Sequence, residues 1–122
     1  MSLRHIIFSA FFALTTAVQA GADPMLIMVE EEGCLWCARW NKEISEIYPK
    51  TSEGKAAPLK RIDIHDKRPA NITFARPLSF TPTFVLVVDN QEVSRIEGYP
   101  GEGFFWGLLA RMLNETKIEV SG

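Results

Sequence analysis

The chain has only two cysteines, and they stand together as Cys34-Leu35-Trp36-Cys37. Two thiols at this spacing can close into a disulfide and reopen, so the pair can carry electrons in thiol-disulfide exchange. The attacking form of a thiol is the thiolate. The apolar run Met25-Leu26-Ile27-Met28-Val29 comes first, then the polar loop Glu30-Glu31-Glu32-Gly33, and a stretch of helical periodicity opens at the motif. A helix starting there puts Cys34 at its N-terminus, where free backbone N–H groups and the helix dipole favour the thiolate. Cys37 then lies one turn further on, within reach to resolve a mixed disulfide. Two other readings compete. A purely structural disulfide across so short a loop removes little chain entropy. Half of a zinc site needs two more ligands, and the only histidines are His5 and His65.

Several elements must position this pair. Met25–Val29 reads as a strand buried on both faces. Cys37, Trp40, Ile44, Ile47 and Tyr48 share one helical face, and Pro49 ends that helix. Residues 51–58 read as a polar linker, and Leu59 to Ile64 as a second strand with Ile62 and Ile64 on one face. Pro69 to Arg76 reads as a short helix between prolines. Thr83–Val88 is a β-branched strand, Asp89-Asn90 a turn, and Glu92–Ile96 a returning antiparallel strand. Gly98-Tyr99-Pro100-Gly101 interrupts the chain, and Phe105, Leu108, Leu109, Met112 and Leu113 mark the core face of a last helix. The order is β-α-β-α-β-β-α. It predicts an α/β fold with a four-stranded mixed sheet, helices on both faces, and parallel first strands joined by a right-handed crossover.

The ends and the composition narrow the class. Met1–His5 carries Arg4 and no acid, Ile6–Val18 is almost wholly apolar, and Val18-Gln19-Ala20 offers small residues at a cleavage site. This pattern predicts a secretory signal peptide over residues 1–20, cut after Ala20, and a single mature domain over residues 21–122. As a helix the apolar segment would rise only about 20 Å, short of the ~30 Å hydrocarbon core that an anchor must span. The net charge of −2 and the lack of a basic patch argue against a nucleic-acid partner. Export to an oxidising compartment lets a disulfide persist. Yet adjacent cysteines staple almost nothing, which favours exchange chemistry over a structural role.

Cys34-Leu35-Trp36-Cys37 after the first strand, with Thr81-Pro82-Thr83 before the third, resembles the thioredoxin superfamily in its smaller, glutaredoxin-sized plan. The blocks Glu32–Cys37 and Phe80–Phe84, and Gly98-Tyr99 followed by Phe104-Phe105-Trp106, are similar to the small periplasmic thioredoxins of bacterial sulfur-oxidation operons, the SoxS type. This resemblance implies a cis bond before Pro82, with Thr81 and Pro82 facing the cysteine pair and Thr81 offering its backbone to an extended partner segment. It implies a periplasmic monomer that needs no cofactor and reduces a disulfide or thiol adduct on a protein. The implied partner is the sulfur carrier SoxYZ, and a membrane electron donor of the thiol-reducing type restores the dithiol. The sequence also departs from the superfamily. The buried acid usual six residues before the first cysteine is replaced by Met28, and Leu35-Trp36 stands where thioredoxins carry Gly-Pro.

Other residues are weighed against simpler roles. Trp36, between the thiols, suits partner docking if exposed and otherwise packs on the sheet edge. Trp40 belongs to the core, and Trp106 reads as structural. Gly98 and Tyr99 are candidates to line a groove beside Pro82. His65 reads as a surface histidine, with a catalytic role as its alternative. Glu30, Glu31 and Glu32 are expected in solvent, where their charge would raise the Cys34 pKa against the lowering by the helix terminus. Two rival functions remain at this point: a disulfide isomerase or oxidase, and a carrier that binds Cu(I) between the two thiolates.

Overall fold

The computed structural model of the chain describes residues 13–14 and 23–120. The expected signal peptide and its cleavage site lie almost wholly outside the described residues. Strands β1 (Met25–Glu30), β2 (Leu59–Asp63), β3 (Thr83–Val88) and β4 (Gln91–Glu97) form one sheet in the order β2-β1-β3-β4. β1 and β2 are parallel, with Glu30 opposite Asp63. β1 and β3 are antiparallel, with Val29 opposite Thr83, and β3 pairs antiparallel with β4, with Thr83 opposite Glu97. These registers bring the end of β1, the end of β2, the start of β3 and the end of β4 to one edge of the domain. Asp89 and Asn90 both take positive φ, the requirement of a tight primed hairpin turn, which Asn and Asp tolerate best.

Leu26 to Val29 are fully buried because β1 is central and covered on both faces. Leu26, Met28, Phe84 and Leu86 point to one side, where they meet Trp40, Ile44, Tyr48, Phe105, Leu109 and Leu113. Helix α1 (Leu35–Trp40) and helix α3 (Glu102–Glu115) supply most of that layer. Trp40 sits at its centre, with ring centroids 5.2 Å from Phe84, 5.8 Å from Phe105 and 6.2 Å from Tyr48. Trp106 is half-buried and stacks on Tyr48, a structural role.

Several details differ from the sequence expectation. The first helix does not run unbroken to Tyr48: α1 passes into a wider π-helical turn at Asn41–Ser45, and Tyr48–Lys50 forms a 3-10 turn that contains Pro49. The wider turn rotates the next residues about the helix axis, so Ile44 and Tyr48 stay buried while Ile47 is 42% exposed. The expected linker contains a short helix, α2 (Ser52–Ala56), whose N-cap Thr51 accepts the Gly54 N–H at 3.0 Å.

Pro69–Arg76 is not a helix. Thr73 instead bridges to Gln91, with backbone bonds of 2.9 Å from the Thr73 N–H to Asn90 and from the Glu92 N–H to Thr73. Alternation then turns Ile72 and Phe74 together onto the sheet, beside Leu78, Val85 and Val87. Tertiary pairing overrides a weak local signal here. As a result, among the described residues, helices cover one face of the sheet and not both as expected, and the irregular segment between β2 and β3 covers the other.

A buried ion pair fastens that segment. The Arg95 guanidinium donates to both Glu92 oxygens, at 2.6 and 2.5 Å, and both side chains are only 3% exposed. Arg95 also donates to the carbonyls of Arg76 at 3.0 Å and Pro77 at 3.1 Å, and Glu92 accepts the Ala75 N–H at 3.0 Å. Burial alone would push the Glu92 carboxyl up; the Arg95 and Ala75 hydrogen bonds outweigh it and hold the group below the usual carboxylate value. Backbone groups with no strand partner are satisfied by this pair instead.

Candidate redox site

Cys34 is the N-cap of α1, in extended conformation, and Gly33 before it takes the positive φ that the turn into the helix requires. The Cys34 N–H closes this turn on the Glu31 carbonyl at 3.3 Å. Cys34 and Cys37 are joined as a disulfide, with their Cα atoms 5.2 Å apart. The Cys37 N–H donates to Cys34 Sγ at 3.1 Å, so a free backbone donor of the first helical turn points at the sulfur. Cys34 is half-buried, whereas Cys37 is 2% exposed and belongs to the helix-side core.

Leu35 and Trp36 project outward between the two sulfurs, 75% and 49% exposed. The Arg39 guanidinium lies over the Trp36 ring, 5.5 Å from its centroid. With Ala38 and Lys42 these residues line a shallow apolar depression beside the dithiol.

Thr81 and Pro82 lead into β3 at the same edge of the domain, and the bond between them is cis. Pro82 is buried and Thr81 half-buried. Thr83 Oγ1 donates to the Phe80 carbonyl at 2.7 Å and closes the turn around the proline. The Pro82 carbonyl accepts the Gly98 N–H at 2.7 Å, where Gly98 takes a positive φ. Gly98 is therefore beside Pro82. Tyr99 turns inward: it is 6% exposed, and its hydroxyl donates to Glu43 at 3.1 Å. Burial and that neighbouring carboxylate push the Tyr99 phenol up to about 12.

The three loop acids are not equivalent, contrary to the expectation that all lie in solvent. Glu30 pairs with Arg61 at 2.7 Å, and Arg61 also reaches Met28 Sδ at 3.4 Å and lies over the Trp40 ring. Glu31 accepts a hydrogen bond from Thr81 Oγ1 at 3.0 Å, and its other oxygen faces His65 Nε2 at 2.9 Å. Only Glu32 is left to solvent. His65 is a surface residue, 77% exposed at its side chain, and it touches the site through Glu31. The signal for Glu31 was its place three residues before Cys34, but no local pattern shows which loop acid turns back across the sheet edge.

The mixed four-stranded sheet, the dithiol at the start of the first helix and the proline turn at the same sheet edge define a thioredoxin-like α/β thiol-disulfide oxidoreductase. A solved structure of the periplasmic thioredoxin SoxS from Paracoccus pantotrophus, in its reduced form, matches this chain with a TM-score of 0.75 and 50% sequence identity. The match covers 76% of this chain and 98% of that one, and the chain belongs to the SoxS family of thioredoxins. No protein-family model and no curated protein matches the chain.

Proposed function

We propose that the chain is an exported, periplasmic, monomeric reductase of protein disulfides and thiol adducts, with Cys34 as its nucleophile and Cys37 as its resolving thiol. The observation that carries this reading is the asymmetry of the pair. Cys34 caps the helix, receives a backbone N–H at its sulfur and is half-buried; Cys37 is almost fully enclosed. In the reduced protein the Cys34 thiolate attacks a sulfur of the partner's disulfide or thiol adduct, and the partner's other sulfur leaves as a thiolate. Cys37 loses its proton and attacks Cys34 of the mixed disulfide. The second partner thiolate leaves, and Cys34–Cys37 is oxidised by two electrons while the partner gains them. A membrane electron donor of the thiol-reducing type then returns two electrons to the pair.

Trp36 supplies a large contact surface next to the reacting sulfur, and the Thr81 backbone pairs with an extended segment of the partner. The sulfur carrier SoxYZ is the partner we favour. The support for it is the family: the relative is the periplasmic thioredoxin SoxS, and the blocks Glu32–Cys37 and Phe80–Phe84 resemble the thioredoxins of sulfur-oxidation operons. The test is a Cys37→Ser trap. Without its resolving thiol the protein should retain a mixed disulfide through Cys34, and mass spectrometry of the complex recovered from periplasm identifies what is attached. Recovery of SoxYZ through its carrier cysteine supports the reading. A trap that forms through other proteins and never through SoxYZ removes that partner, and a Cys37→Ser protein that forms no adduct removes the assignment of roles.

A further inference from the structure

Glu31 does more than carry charge on a loop. Its carbonyl accepts the Cys34 N–H at 3.3 Å, so its backbone closes the turn that ends at the reactive sulfur. Its carboxylate leaves that turn and takes the Thr81 hydroxyl at 3.0 Å from the loop that enters β3. The remaining oxygen faces His65, just beyond the end of β2, at 2.9 Å. Three loops that run on from the ends of β1, β2 and β3 thus meet on one carboxylate, whose side chain is 36% exposed. A loop glutamate with no such partners keeps its rotamer freedom in water. Here the rotamer is held by hydrogen bonds to an ionised acceptor, which are stronger than neutral ones.

We infer that Glu31 is a positioning residue, whose carboxylate fixes the Thr81 turn relative to Cys34 so that a partner segment paired with the Thr81 backbone delivers its sulfur to the thiolate. The inference rests on the proposed docking role of Thr81. Without that link the Thr81 turn holds its docking position for only a fraction of the time, and the apparent affinity for a partner segment falls by that fraction. His65 supports the same carboxylate from solvent, where its contribution is smaller.

The test uses single-turnover kinetics of the fully reduced protein against rising concentrations of a disulfide-bridged peptide with extended flanks, followed by the peptide thiol released. The variants are Glu31→Ala, Glu31→Gln, Thr81→Val and the double variant Glu31→Ala/Thr81→Val, each with its melting temperature measured. Expected is a rise in half-saturating peptide of about 5- to 10-fold for Glu31→Ala and for Thr81→Val, as for a turn in its docking position about 10–20% of the time, with the maximal rate within about threefold of wild type. The double variant should be no worse than the poorer single one, because both remove the same link. Glu31→Gln keeps an oxygen for the Thr81 hydroxyl and should restore most of the binding. A purely structural glutamate would lower the melting temperature and leave half-saturation alone. Unchanged half-saturation in Glu31→Ala with a clear rise in Thr81→Val overturns the inference and leaves the docking role of Thr81 standing. No effect in either also overturns the inference, and leaves the docking role of the Thr81 backbone, which valine retains, standing. Losses that multiply in the double variant show two independent side chains and also overturn it. Should Glu31→Ala fail to fold, Glu31→Gln and Thr81→Val decide: wild-type behaviour in Thr81→Val refutes the inference.

Discussion

Arg95→Met tests whether the irregular segment before the site is held by the buried ion pair. The substitution keeps most of the side-chain length and removes the bidentate bond to Glu92, together with the bonds to the carbonyls of Arg76 and Pro77. Glu92 is then left 3% exposed, with the Ala75 N–H as its remaining partner. Removing one partner of a buried pair typically costs about 3–5 kcal/mol. This pair lies on edge strand β4, where water relaxes around it easily, so the lower end applies, about 3 kcal/mol. For a domain of this size, at ~4–8 °C per kcal/mol, the melting temperature should drop by at least about 10 °C. The pH dependence separates an uncompensated charge from a simple cavity. In the wild type the Glu92 carboxyl is held below its usual value of 4.5, so its contribution is complete above that pH and is lost as the pH falls through the folded value. In Arg95→Met the burial effect remains without the arginine, the carboxyl is raised instead, and protonation relieves the variant. The gap between the two proteins should therefore narrow from pH 7 to pH 4.5. Urea unfolding followed by circular dichroism at both pH values measures it. A cost under about 1 kcal/mol at pH 7, or a gap that does not change with pH, would refute the reasoning.

The same contacts set other outcomes. Alkylation of the reduced protein at limiting reagent should modify Cys34 before Cys37, read by peptide mass; equal labelling would contradict the asymmetry in burial. Both tyrosines are raised, Tyr99 to about 12 and Tyr48 further by its burial, so the folded protein should show no phenolate absorbance near pH 10. A raised phenol favours the protonated folded state below its unfolded value near 10, and that contribution is lost as the pH climbs through the folded value. An absorbance step at pH 10 before unfolding would contradict the enclosed phenols. Gly54→Ala should destabilise by about 1–3 kcal/mol, because a Cβ there runs into the Tyr48 carbonyl, which is main chain and cannot swing away; chemical denaturation reads it, and a neutral effect would show that the 48–54 turn shifts freely. Exported protein should have an intact mass beginning at Gly21; a full-length chain in the membrane fraction would instead indicate an anchor.

The parts of this fold that were legible in the sequence are those where local and tertiary preferences agree. β1 is apolar from Met25 to Val29 because it is central and covered twice, and the Asp89-Asn90 hairpin carries its own turn chemistry. The cysteine pair could be placed because strand, loop and helix succeed one another in order on either side of it. The segment 69–76 reads as a helix in the sequence because its prolines punctuate a helix as well as they punctuate an extended stretch. What decides between the two is pairing with residues far along the chain: Thr73 bonds to Asn90 and Glu92, and Glu92 and Arg95 satisfy the backbone of Ala75, Arg76 and Pro77. Glu31 was hidden for the same reason. Three consecutive glutamates look alike in one dimension; they part company only when β2 brings Arg61 and His65, and β3 brings Thr81, to the end of β1. The dithiol is a local motif, readable from four residues. The surface that offers it to a partner is assembled across the sheet edge, from side chains whose roles are set by register rather than by neighbours in the chain. Differences among members of a family that share the dithiol are therefore expected in residues such as Glu31 and Thr81, where register, not the motif, decides what faces the sulfur.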